Sequence, residues 1–302
     1  MYLHWHLLYI TLSISFLSAT WFDEIPRIIH QPDGEILECF ISGDQYSRRL
    51  HDINNYTIVH HEEDGFFYYA QKDSYGSLTP TTLIAGRGNP QSIGLEPGYS
   101  IRKEDYNMKK EFYHQGELLR DNRDAPNIGE INQINVFIRF ADDPEFPDDR
   151  STYVEIFETD YDEPSLKHYF SEISHDRLTI NTLHFPGSLD GSNASYVDSY
   201  ERSYYQPYSA ANSNGYQSQS DRFLREHSLV ANALNSISQS VPSSVDLDLD
   251  DNGFVDAVSI VVYGTQGAWA DLLWPHRTAL FNEEVYLNGA QVYDYLFMLS
   301  ES

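Results

Sequence analysis

The chain has 302 residues, 41% hydrophobic and 14% aromatic, enough apolar material for about two packed domains and too much for disorder throughout. Nineteen Lys and Arg stand against 46 Asp and Glu, a net charge of −27, so a phosphate backbone or an anionic membrane surface is repelled and cations are the natural partners. The single cysteine, Cys39, excludes an intrachain disulfide and any Cys-rich zinc or iron–sulfur site.

In chain order, residues 5–22 (WHLLYITLSISFLSATWF) carry no charged side chain, and Ser18, Ala19 and Thr20 supply small residues for a cleavage point. This reads as a secretory signal peptide over residues 1–20. Only His4 and His6 stand where a basic segment is usual, and the competing reading is an uncleaved membrane anchor. Sequons at Asn55 and Asn193 are relevant in a glycosylating host. Residues 35–84 alternate apolar and polar between turn formers (EILECFIS, YTIVHH, FFYYAQ, LTPTTLIA), which predicts short antiparallel strands. Residues 86–130 are rich in Gly, Pro and charge and read as a linker, with a domain boundary near 125. Beyond it INVFIRF predicts a strand, SLKHYFSEIS a helix, RLTINTLHF a strand, 221–237 a helix and AVSIVVY a buried strand, a pattern of α/β or α+β type. Asn288-Gly289 between two apolar runs predicts a hairpin, and an end without a polar cap predicts a truncated chain.

The clearest chemistry lies in Asp246-Leu-Asp248-Leu-Asp250-Asp251-Asn252-Gly253-Phe254-Val255-Asp256. With Asp248 as position one, Asp250 and Asn252 fall at three and five, Gly253 at six, the Phe254 carbonyl at seven and Asp256 at nine. That is the front half of a calcium loop, in which alternate residues of a tight turn present oxygens to a hard cation and Gly permits the bend. Position twelve is Ser259 rather than Glu, so a calcium-stabilised entry to a strand, with Asp246 as an extra ligand, is expected in place of a helix–loop–helix EF-hand. The competing reading is a solvated acidic turn.

No phosphate-binding Gly-rich loop, no Gly-x-Ser-x-Gly elbow and no His-Glu-x-x-His is present. His61-Glu62 begins the last pattern, but residue 65 is Gly, and His60 and His61 read as strand surface. His168 and Glu172 read as an i,i+4 surface pair, and Asp142, Asp143, Glu145, Asp148 and Asp149 as a solvated loop before any second cation site.

The order INVFIRFAD, SLKHYFSEISHDRLTI, RSYYQPYS, REHSLVANAL, VDLDLDDNGFVDAVSIVVYG, LLWPHR over 131–302 resembles the immune inhibitor A family of secreted zinc metallopeptidases, peptidase family M-six, and QPDGEILECFISGDQYSRRLHD with YTIVHHEEDGFFYYA resembles that family's propeptide. The resemblance implies an α+β chain: a signal peptide (1–20), a β-rich propeptide with its linker (21–125), and the incomplete first part of a zincin-like catalytic domain (126–302). It implies a secreted, extracellular or cell-surface zymogen that hydrolyses protein or peptide substrates by zinc-activated water. The family's zinc helix would follow the segment that VYDYLFMLSES resembles, so no zinc ligand and no catalytic residue is assigned here and the chain as written is expected to be inactive. Neither nucleic acid nor a stable membrane partner is expected. A propeptide thiolate from Cys39 can block an open zinc position, but alternation with Leu37 and Ile41 favours a buried core residue. His276, beside Trp274 and Pro275, reads as packed before it reads as cleft-lining. The competing class is a secreted calcium-binding structural or adhesion protein.

Overall fold

The computed structural model describes residues 21–301 apart from 45, 62–63, 75, 119–124, 160–163, 189, 209–210, 266–271 and 274. The expected signal peptide, Glu62 and Trp274 therefore lie outside the described residues. The chain is mixed α+β. Its first sheet is an antiparallel meander of six strands in sequence order: β1 (Phe22–His30), β2 (Ile36–Gly43), β3 (Arg48–His51), β4 (Thr57–His60), β5 (Phe67–Lys72) and β6 (Leu78–Ile84). Alternation on β2 buries Leu37, Cys39 and Ile41 with Leu50, Ile58 and Tyr69 in one core. The strand β1, unforeseen in the sequence, lies at the sheet edge, where Pro26 is tolerated without a ladder donor.

The stretch read as a linker is not uniformly irregular. It carries a helix, α1 (Lys103–Leu118), which leaves the first sheet and lays Phe112 on the second unit. The reason is local: Lys, Glu, Met and Tyr are adequate helix formers, and three aromatic partners reward the turn that presents Phe112.

The second sheet has the order β11-β14-β10-β7-β8, from β7 (Gly129–Arg139), β8 (Leu178–Phe185), β10 (Val258–Thr265), β11 (His276–Ala279) and β14 (Asp294–Glu301), and the two-residue β9 (Tyr196–Val197) also pairs with β7. The strands β14, β10, β7 and β8 run parallel, and β11 is an antiparallel edge. The central strands are near-continuous apolar runs because both faces are covered. Helix α4 (Gln219–Ile237) packs Leu229, Val230, Ala233 and Leu234 on Ile134, Val136, Ile138, Ile260 and Val262. Helix α2 (Arg150–Glu158) packs Tyr153 and Phe157 on Phe137 and Val261, while α3 (Leu166–Ser174) sets Leu166 and Phe170 beside Ile131, Leu178 and Ile180. A polar chain crosses the middle of the sheet: Gln133 donates to Ser259 at 2.8 Å, Ser259 to Asn135 at 2.7 Å, and Asn135 to His184 Nδ1 at 3.1 Å. The Asn288-Gly289 turn joins β12 (Val285–Leu287) to β13 (Ala290–Val292), with φ of 48° and 94° at the two turn residues, as a tight hairpin requires. No helix among the described residues is long and apolar enough to cross a membrane.

Candidate metal centre

The acidic loop links α4 to β10. Leu247 and Val255 are buried at its two ends, which fixes both legs to the core and leaves the carboxylates at the surface. Its turns are closed by its own side chains. Asp248 accepts from the Asn252 and Gly253 amides through separate oxygens at 2.8 and 2.7 Å, Asn252 Oδ1 accepts from the Phe254 amide at 2.9 Å, and Asp256 Oδ2 from the Leu249 amide at 2.9 Å. Asp251 and Gly253 take positive φ, 54° and 89°, to make the bend. The loop is also joined to the neighbouring hairpin: the Gln291 amide donates to the Gly253 carbonyl and the Val255 amide to the Gln291 carbonyl, each at 2.9 Å.

This folding gathers ligand oxygens of Asp248, Asp250 and Asp256 within 4.8 Å of one another. Asp246 is not in that group; its Oδ1 instead accepts from the Asp248 amide at 3.2 Å. Asn252 and Phe254 belong to the same turn, which Asn252 Oδ1 closes on the Phe254 amide. Asp256 Oδ1 is buried without a hydrogen-bond partner. Burial, with Asp250, Asp248 and Asp246 adding to it, raises the Asp256 carboxyl above the ordinary range against the pull of the Leu249 amide. These three carboxylates, one with a buried orphan oxygen, could hold a metal ion. Ser259, at the place of the missing Glu, is fully buried, and its hydroxyl is engaged by Gln133 and Asn135 in the polar chain of the sheet.

No known protein-family model matches the chain, and no curated protein matches it.

The remaining candidates resolve individually. Cys39 is 1% exposed, and burial pushes its thiol up to about 11, which leaves it a core side chain. In the acidic run, Asp143 holds Arg202 at 3.0 Å, Glu145 lies 3.4 Å from Arg139, and Asp149 precedes the first turn of α2, so these charges brace a turn. His61 pairs with Asp64 at 2.9 Å, and His60 packs on Phe67. His168 sits in the first turn of α3, where its amide donates to Ser165.

His276 belongs to a group the sequence reading missed. Its Nε2 lies 2.7 Å from Glu226 Oε1, which also accepts from the Tyr295 hydroxyl at 2.7 Å, while Arg222 approaches the other Glu226 oxygen at 3.8 Å. All four are buried. Burial alone would raise the Glu226 carboxyl, but His276, Arg222 and His227 outweigh it and hold it well below the usual carboxylate range. The available signal was on α4: Glu226 and His227 fall three and four residues after Phe223 and before Val230, on the apolar stripe where charge is unexpected.

Proposed function

We propose that the chain is the amino-terminal part of a secreted zinc-dependent endopeptidase precursor of the immune inhibitor A type, and that its acidic loop holds a structural calcium ion. The observation that carries the calcium reading is the convergence of Asp248, Asp250 and Asp256 around the unpartnered Asp256 oxygen. An ion there neutralises the carboxylates at the point where β10 must enter the sheet between β7 and β14. The peptidase reading rests on the order of the sequence blocks. Zinc chemistry belongs to residues outside this chain, since the 302 residues hold no His-Glu-x-x-His and the metal-capable group among the described residues is all carboxylate. Maturation in this reading cuts the segment between 86 and 130, on either side of α1, because a helix presents backbone to a protease poorly.

The all-carboxylate donor set equally favours a second reading, a secreted calcium-binding structural or adhesion protein. Sequencing the gene past codon 302 separates the two. A frame that runs into His-Glu-x-x-His within a few tens of codons supports the peptidase, and a stop codon there leaves the second reading. Calcium-dependent melting tests the loop, and chelator-sensitive casein hydrolysis by the 302-residue chain overturns the inactivity expected of it.

A further inference from the structure

His227 is 0% exposed and sits in an aromatic cage. Phe112 of α1 lies 5.2 Å away, Phe281 5.1 Å and Tyr295 6.5 Å between ring centroids. Phe112 itself stacks flat on Phe223, one helical turn before His227, at 3.4 Å and 4°. Neither ring nitrogen of His227 has a hydrogen bond of good geometry among the described residues; the charge of Glu226 and, less strongly, the Ala279 carbonyl favour a proton there. The imidazole is therefore being used as an apolar plate, a role open only to its neutral form.

The walls of the cage differ in how firmly they are held. Tyr295 and His276 sit on β14 and β11, inside a hydrogen-bonded sheet. Helix α1 belongs to no sheet. It rests on α4 through Phe112 and Tyr113, and on the first sheet through Tyr46 and the 2.6 Å bond from the Tyr106 hydroxyl to Asp44. The charged and titratable groups around the ring come from every side. Arg222 and Glu226 lie on α4 itself, His276 on β11 and Tyr295 on β14. From α1 come Tyr113 and the buried Lys109, with Arg48 of β3 beside Tyr113, and Glu283 reaches Ser228 from the loop after β11. Glu226 is the neighbouring anion: its Oε1 is engaged by His276 and Tyr295, and its Oε2, 3.8 Å from Arg222, makes no hydrogen bond among the described residues. A proton added to His227 thus places a new cation in a dry aromatic cage near Arg222 and His276, where loss of water and those two groups oppose it more than Glu226 favours it.

We propose that α1 is an acid-released latch: at neutral pH it is held over α4 by packing on the uncharged His227 ring, and protonation of that ring drives α1 off the second unit. The acidic loop takes no part, so the latch stands or falls independently of calcium and of the peptidase reading. Burial, reinforced by His276 and Arg222, pushes His227 down to about 4 against the pull of Glu226. A free imidazole titrates near 6.5, so the sign is fixed: the closed state binds the proton more weakly, and closure weakens as pH falls from about 6.5 to about 4. Between pH 7.5 and 5.0 the open population rises about 30-fold.

The test is hydrogen–deuterium exchange by mass spectrometry on the full chain at pH 7.5 and 5.0, corrected for the intrinsic pH dependence of exchange. Peptides from 103–118 should lose protection at pH 5.0 by about that factor and should be far less protected than peptides from β7 at that pH, because α1 opens without the sheet. In His227→Phe, which keeps the plate and removes the proton site, α1 should stay equally protected at both pH values. If circular dichroism shows that variant unfolded, His227→Leu takes its place, and if neither folds the wild-type profile decides. Unchanged α1 exchange in the wild type, α1 peptides as protected as those of β7 at pH 5.0, or a wild-type response in either folded variant overturns the latch.

Discussion

Replacing Asp250 by Ala should change the melting temperature in opposite directions with and without calcium. The Asp250 carboxylate takes none of the loop's hydrogen bonds, which fall to Asp246, Asp248, Asn252 and Asp256. It is exposed, and its oxygens lie within 4.8 Å of those of Asp248 and Asp256. In chelator the substitution removes repulsion and little else. At that separation each like-charge pair costs about 1 kcal/mol in a water-like dielectric, and screening reduces the relief to under about 1 kcal/mol. The variant should therefore melt at the wild-type temperature or up to about 3 °C above it. In calcium the order reverses. With position twelve lacking Glu, the dissociation constant should fall in the weak extracellular range, about 10⁻⁴ to 10⁻³ M. At about 10 mM calcium and the tighter end of that range the ion stabilises the wild type by about 2.7 kcal/mol, or roughly 5–10 °C for a unit of this size, and the variant gains little of it. Differential scanning calorimetry of both proteins, each in calcium and in chelator, reads all four values. A wild-type transition indifferent to calcium, or a variant destabilised equally in both buffers, refutes the ion and leaves a self-bonded acidic turn.

Cys39 should resist a thiol reagent at pH 8 in the folded protein and react fully in denaturant, because burial holds its thiol near 11, and Cys39→Ala should cost about 1–2 kcal/mol in urea melts. Gly43→Ala should be far worse than Gly34→Ala. At Gly43 φ is 144° and a Cβ would meet the Ser47 carbonyl at 2.0 Å, whereas Gly34, φ 88°, has nothing within 4 Å, so losses of more than about 3 and about 1 kcal/mol are expected from chemical denaturation. His184 is held down at about 4 by burial and by Arg150, below its free value, so its share of stability is complete above about pH 6.5 and is lost as pH falls toward 4. The drop in unfolding free energy between pH 7.5 and 5.0 should shrink by about 2 kcal/mol in His184→Asn, measured by urea titration.

The parts legible in the sequence were those where one local rule governs. Period-two alternation marked β2, β4 and β5, unbroken apolar runs marked β7 and β10 because a parallel sheet covered on both faces leaves no polar side, and Asn288-Gly289 marked its hairpin because few residues accept two successive positive φ values. The spacing of Asp248, Asp250 and Asp256 was legible for the same reason, since a tight turn converts alternate positions into one concave side. Asp246, expected as an extra ligand, lies outside the group of three that the turn gathers, with its Oδ1 on the Asp248 amide. What escaped was set by distant partners. Pro26 disguised β1 until its edge position was known, α1 has too few apolar residues to show a helical stripe, and the Glu226–His276 pair joins residues 50 apart in sequence.

The two bonds between Gln291 and the acidic loop bear on how fast an ion comes and goes. A loop that must fold around its cation exchanges it at the rate of its own rearrangement. Here Gly253 and Val255 are fastened to β13, and both legs are anchored by buried Leu247 and Val255, so the carboxylates already converge before any ion arrives. For the proposed calcium ion, loss of water from the incoming cation would then set the entry rate, and the weaker affinity expected without a Glu at residue 259 would appear as rapid escape. In the proposed calcium reading such a site would follow changes in calcium with little lag, and weakening the hairpin by replacing Gly289 would slow its response even though no ligand had been touched.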